Sequence, residues 1–147
     1  TPVFSVILPA SVTRIEAGAF DGADALQRIL FTGDAPSVAA NALAGSAATV
    51  YYLPGMEGWS DSLGGRPALL WNPAPDPDAA LAFQNGVFSF TLTGTALIPV
   101  DVQAAPELSS AAWSSLTNAL IGADGTLRVS DPASPANTRR FYRCVWP

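Results

Sequence analysis

Ser5-Val6-Ile7-Leu8, Arg28-Ile29-Leu30-Phe31 and Tyr51-Tyr52-Leu53 are short apolar stretches set one step apart, 23 residues from Ser5 to Arg28 and 23 again from Arg28 to Tyr51. The same step carries Ile15 to Val38, Ala19-Phe20 to Ala42-Leu43, and Gly22 to Gly45. A fixed period of this length marks a solenoid, in which each coil supplies one short strand, a turn and a returning segment. One coil cannot cover its own apolar face. Stacking is predicted to bury Ile15 on Val38, Phe20 on Leu43, and Ile7 on Leu30 on Leu53, with the strands side by side in a parallel ladder. Each Leu- or Phe-sized side chain so buried contributes about 1.5 to 3 kcal/mol, so the stack is where stability is expected to reside.

The residues around the repeat are as specific as its period. Leu8-Pro9-Ala10-Ser11-Val12-Thr13-Arg14-Ile15, then Gly18-Ala19-Phe20, Leu26 and Phe31-Thr32-Gly33-Asp34-Ala35-Pro36 resemble the BspA-type leucine-rich repeat of bacterial surface proteins. The end of the array is similar too, in Val50-Tyr51-Tyr52-Leu53-Pro54-Gly55, Gly58-Trp59, Gly64-Gly65-Arg66-Pro67 and Leu70-Trp71-Asn72-Pro73. The resemblance implies a short leucine-rich-repeat solenoid over residues 1–72, ending in a cap, on a secreted or cell-surface bacterial protein. A final coil must hide its apolar face from water, and Trp59 and Trp71 are suited to be its lids. The competing use of Tyr51, Tyr52, Trp59 and Trp71 is an aromatic platform for stacking on sugar rings.

After Trp71 the period stops. Asn72-Pro73-Ala74-Pro75-Asp76-Pro77-Asp78 alternates prolines that remove backbone donors and hold the chain extended, so residues 73–79 read as a semi-rigid linker. Strand alternation follows: Phe88, Phe90 and Leu92 share one face of Val87–Thr93, and Ile98, Val100 and Val102 point inward from a run in which Pro99, Asp101 and Gln103 point outward. Pro99 signals an edge strand or a bulge. Further strands are expected near Trp113–Leu116, over Thr126–Ser130 after the Asp124-Gly125 turn, and over Arg140–Val145. Together they predict a small antiparallel β-sandwich over residues 80–147, making the chain mainly β. The set Trp113, Leu116, Gly125, Asp131 and Arg140-Phe141-Tyr142-Arg143 resembles a C-terminal β-module of secreted proteins from Verrucomicrobia-like bacteria, a resemblance that implies no reaction.

Composition narrows the chemistry. In 147 residues, 49% are hydrophobic, only 13% are charged, and thirteen Pro and twelve Gly punctuate the chain, as short strands and turns require. The net charge is −5, with seven Arg and no Lys. Neither half is basic, which argues against a nucleic-acid partner. No apolar run approaches the roughly 18 to 20 residues of a membrane span, and Thr1 reads as a processed or trimmed start. Histidine is absent and Cys144 stands alone, so no standard triad or thiolate metal site can be assembled, and Cys144 reads as a small apolar residue of the last strand. Asp21, Asp24 and Asp34 fit solenoid turns. Asp76 with Asp78, or Asp124 with Asp131, offers at most weak calcium ligation. Gly64-Gly65-Arg66-Pro67 lacks the spacing of a phosphate-binding loop. No catalytic residue, cofactor or metal site is expected.

What remains is contact. Arg139, Arg140 and Arg143 form a candidate site for an anionic glycan, against the plainer reading that they pair with acids such as Asp131. The leading expectation is a non-catalytic binding or adhesion protein with a protein or glycan ligand. The second is a structural subunit joined head to tail to copies of itself through Val3, Phe4 and Val6, an apolar strand with no preceding coil to cover it. The third is an accessory module of a larger secreted enzyme.

Overall fold

The computed structural model describes residues 2–110 and 112–147; Thr1, with the expectation attached to it, lies outside them. The chain separates into two compact units, Thr1–Asn72 and Pro73–Pro147. Both are β, and among the described residues there is no α-helix.

The first unit contains β1 (Ser5–Leu8), β2 (Arg14–Ile15), β3 (Arg28–Phe31), β4 (Ser37–Val38), β5 (Thr49–Tyr52), β6 (Ser62–Leu63) and β7 (Arg66–Leu70). Strands β1, β3, β5 and β7 lie parallel in that order, and β6 closes the sheet antiparallel to β7. On the return side β2 pairs with β4, setting Ile15 beside Val38 as the repeat predicts. This is a parallel-strand solenoid of about three turns.

Its coils are not equal. Ser5 faces Arg28, the predicted step of 23, but Arg28 faces Thr49, a step of 21, and Val50 faces Ala68, a step of 18. Leu30 therefore sits beside Tyr51 rather than Leu53. The shortening lies between Gly45 and Thr49, where the Ser46 hydroxyl accepts the Ala48 N–H at 3.0 Å and donates to the Leu26 carbonyl of the coil before at 3.4 Å. Because side chains alternate with period two, a slip of two residues leaves every face as it was.

The inward row also differs from expectation. Ile29, Phe31 and Val50 belong to the core with Ile15, Leu26 and Leu43, and Val6, Leu8 and Tyr52 pack against it. The row Ile7, Leu30, Tyr51 falls outside that cluster: Ile7 does lie beside Leu30, and Leu30 and Tyr51 are buried, but Ile7 is 53% exposed. Coils approach closely enough to exclude a methyl group: a Cβ on Gly33 would lie 2.6 Å from the Ala10 backbone, and one on Gly45 2.6 Å from the Phe20 carbonyl oxygen.

The second unit contains β8 (Ala74–Pro75), β9 (Ala82–Gln84), β10 (Val87–Thr93), β11 (Pro99–Ala105), β12 (Ser114–Leu120), β13 (Thr126–Asp131) and β14 (Phe141–Val145). One antiparallel sheet runs β13, β10, β8, with β9 also on β10; the other runs β12, β11, β14. Segment 73–79, read as a semi-rigid linker, carries the edge strand β8. Ala74 and Pro75 pair with Thr93 and Leu92, and the Asp76 N–H reaches the Thr91 carbonyl at 2.9 Å, an edge position where proline's missing donor is harmless. Ile98, Val100 and Val102 are fully buried as predicted. Pro99 is buried too, as the first residue of a central strand, and the bulge comes later, between Val102 and Gln103.

Candidate functional site

The most developed polar arrangement is at the end of β13. Asp131 is completely buried. Its Oδ2 accepts from Arg140 Nε at 2.7 Å and from the Tyr142 hydroxyl at 2.9 Å, while Oδ1 accepts the Ala133 N–H at 2.9 Å. Burial alone would raise its pKa. The hydrogen bonds from Arg140, Tyr142 and Ala133, with the Arg140 charge, outweigh burial and hold the carboxyl below the ordinary carboxylate range. Burial and the neighbouring carboxylate push Tyr142 up to about 12, and the same carboxylate raises Arg140.

This cluster shapes the segment between β13 and β14. After the tight turn at Ala133, a 3-10 turn runs over Ser134–Ala136. The Ser134 hydroxyl accepts the Phe88 N–H at 2.8 Å and donates to the Gly86 carbonyl at 3.2 Å, tying the segment to the β9–β10 hairpin. Asn137 Nδ2 donates to the Ala133 carbonyl at 2.8 Å. Between segment and hairpin lies an open groove of about 340 Å³, lined by Phe83, Phe88, Tyr142, Asn137, Arg139 and Arg140 among others. From its wall a row of rings runs into the interior: Phe83 meets Phe88 at 5.3 Å, Phe88 meets Tyr142 at 5.5 Å, and Tyr142 meets buried Phe90 at 5.0 Å.

The three arginines of the sequence reading do not converge. Arg140 is held by Asp131, whereas Arg143 donates to Gln103 Oε1 at 2.9 Å and lies over the Trp113 ring at 4.3 Å. Arg139 is exposed and borders the groove. Tyr51 and Tyr52 are likewise divided by strand alternation. Tyr51 is buried outside the core cluster, its pKa raised by burial. Tyr52 stacks on Trp59 with ring centres 4.7 Å apart, Trp59 also meets Phe31 at 5.2 Å, and Trp59 Nε1 donates to the Gly33 carbonyl at 3.1 Å. Trp59 therefore packs on the core rather than standing out as a platform, and the Trp71 N–H continues the ladder to the Tyr52 carbonyl at 2.8 Å. Val3 and Phe4 are exposed, and Val3 and Val6 line an open depression with Phe20 and Leu26 beside the edge strand β1.

Carboxylates of the two candidate calcium pairs take part in local hydrogen bonds. Asp76 caps the Asp78 N–H, Asp124 caps Thr126, and Asp131 is held by Arg140; the Thr126 N–H and hydroxyl hold exposed Asp124 below its usual pKa. Among the described residues no group of three or more His, Cys, Asp or Glu side chains could hold a metal ion. Burial pushes the half-buried Cys144 thiol upward, away from the reactive thiolate. No helix among the described residues is long and apolar enough to cross a membrane.

Sequence reasoning missed Phe83 and the groove. The signal is Asn85-Gly86, both at positive φ, joining β9 to β10 with Gln84 opposite Val87, a two-residue hairpin of the kind this dipeptide favours. Fold and site together define a class, a β-solenoid unit joined to an antiparallel β unit that carries an aromatic groove. Comparison of the chain with protein-family models, curated proteins and solved structures found no match.

Proposed function

We propose that the chain is a non-catalytic recognition protein of the bacterial surface or exterior, a BspA-type leucine-rich-repeat solenoid followed by a β-sandwich, acting by adhesion to a protein or glycan. The resemblance of residues 1–73 supports the repeat identity and the location. The observation that carries the recognition reading is the groove between the β9–β10 hairpin and the 134–140 segment. It offers an exposed aromatic ring and polar groups on a hydrogen-bonded frame. Beneath it Asp131, the one buried carboxylate among the described residues, is locked in an ion pair with Arg140, an arrangement suited to holding a shape rather than shuttling a proton. Binding of the full chain to arrayed glycans and to immobilised matrix proteins tests this. Saturable binding to at least one class is expected, and uniform failure by folded chain contradicts it.

A second reading has its own observation. Strand β1 is the edge of the parallel sheet, and Val3, Phe4 and Ile7 are 60%, 54% and 53% exposed there. An apolar edge strand is a template for another chain. This favours head-to-tail fibres. Light scattering and electron microscopy of concentrated protein are expected to reveal them, and a strictly monomeric solution rejects them.

A further inference from the structure

The groove of the second unit combines two features that suit a ligand. The first is an apolar surface left open. Phe83 is 71% exposed although its ring continues the row Phe88, Tyr142, Phe90 that runs into the interior. The Phe83 ring is tilted 43° to that of Phe88, and its own exposed face is a flat surface on which the C–H face of a sugar can lie.

The second is a cation without a partner. Asp131 is engaged by Arg140, and Glu107, which borders a neighbouring depression with Arg139, forms no ion pair with it. Among the described residues Arg139 makes no hydrogen bond and no ion pair, in a chain whose net charge is −5. A planar guanidinium beside an aromatic ring matches a carboxylate carried on a ring. Arg140 also lines the groove but is engaged by Asp131, and the rest of the lining beside the rings is hydroxyl and amide. Thr138 is exposed, and Asn137 donates its Nδ2 to Ala133 and can offer its Oδ1 as an acceptor for ligand hydroxyls. The frame is fixed in advance by Ser134 and Asp131, so little ordering is required on binding. A phosphate backbone fits poorly, because the groove offers one unpaired cation in a chain of net charge −5, too little to offset its charge density.

We propose that this groove binds an acidic polysaccharide, with a uronate ring on Phe83, its carboxylate on Arg139, and ring hydroxyls on Thr138 and Asn137. The proposal rests on the recognition reading and names its ligand class.

Calorimetric titration of the full chain with oligogalacturonate, with a glucuronate-containing oligosaccharide, and with methyl-esterified oligogalacturonate tests it. The ester keeps the rings and removes the charge. Binding of at least one acidic oligosaccharide is expected, with affinity at least about tenfold weaker for the ester and for Arg139→Gln, the size of a lost charge-assisted hydrogen bond. Phe83→Ala is expected to weaken binding about fivefold or more. Arg128→Gln removes the same charge from an exposed position outside the groove and should leave affinity unchanged. Phe83 and Arg139 are both exposed, so their variants should melt with the parent. Failure to bind either acidic oligosaccharide, equal affinity for the ester, or unchanged binding by Arg139→Gln overturns the proposal. If the chain then binds a neutral glycan or a matrix protein, the recognition reading survives without it; if folded chain binds nothing, both fall.

Discussion

Residues 2–72 are held by apolar side chains repeated coil by coil, with Ser46 the only buried polar residue among those described, whereas residues 73–147 enclose Asp131, a carboxylate with no solvent exposure. The first interior spreads its stabilisation over many similar contacts. The second concentrates part of it in one hydrogen-bonded group whose value depends on being charged. Repetition makes an interior forgiving of pH and sensitive to volume; a buried ion pair makes it sensitive to the loss of a single partner.

The largest effect is expected from Asp131→Ala. It strands the Arg140 guanidinium and the Tyr142 hydroxyl and frees the Ala133 N–H, at a cost of about 3 to 5 kcal/mol. Native-state hydrogen exchange should place the loss in β10 and β13. An equal loss in β3 and β5 would mean that the two interiors do not differ as described.

Leu43→Ala is the counterpart in the repeat, expected to cost about 2 to 5 kcal/mol because Leu43 is completely buried. Phe20 holds the same place one coil earlier but is only half-buried. Relative to the size of its side chain, Phe20→Ala should cost clearly less in denaturant unfolding. Equal costs would show the first coil to be covered as fully as the second.

Gly45→Ala is expected to destabilise by about 1 to 3 kcal/mol, since the new Cβ would meet the Phe20 carbonyl. Gly22, one coil earlier, has nothing within 4 Å of an added methyl but sits at φ +74°, so Gly22→Ala should cost only about 1 kcal/mol of backbone strain. Thermal unfolding of the two variants separates contact from conformation. Ser46→Ala, which removes both bonds of the short return, should cost about 1 kcal/mol, and no measurable change would show that the 21-residue step is set elsewhere.

The two interiors were unequally legible. The period of 23 located β1 and β3 and paired Ile15 with Val38, because repeated coils leave a repeated pattern. It missed the step of 21, since the length of a surface return is set by local bonds such as those of Ser46. It also expected Ile7 to be buried with Leu30, whereas only Leu30 is buried and the core cluster is built on the other row. Val6, Ile7 and Leu8 are all apolar, so this stretch carries no alternation to say which face is buried. In the second unit Val87–Thr93 and the inward Ile98, Val100 and Val102 were readable from period two. The grouping of Asp131 with Tyr142, and the place of Phe83, were not, because contacts across the sheets leave no periodic trace. Only the pairing of an arginine with Asp131 could be weighed in advance. Prolines at 73, 75 and 77 read as a linker because composition does not distinguish a free extended segment from an edge strand.

Residue-resolved hydrogen exchange at pH 7 and at pH 3 tests the contrast most directly. Asp131 has a folded pKa below its unfolded value near 4, so its contribution is present above about pH 4 and is lost as pH falls through the lower folded value. The first unit has no buried carboxylate among its described residues, and its buried Tyr51, with a raised pKa, loses its contribution only in alkali, above about pH 10. Protection in β10 and β13 should fall on acidification while that in β3 and β5 is retained; equal loss in both units, or greater loss in the first, would contradict the account.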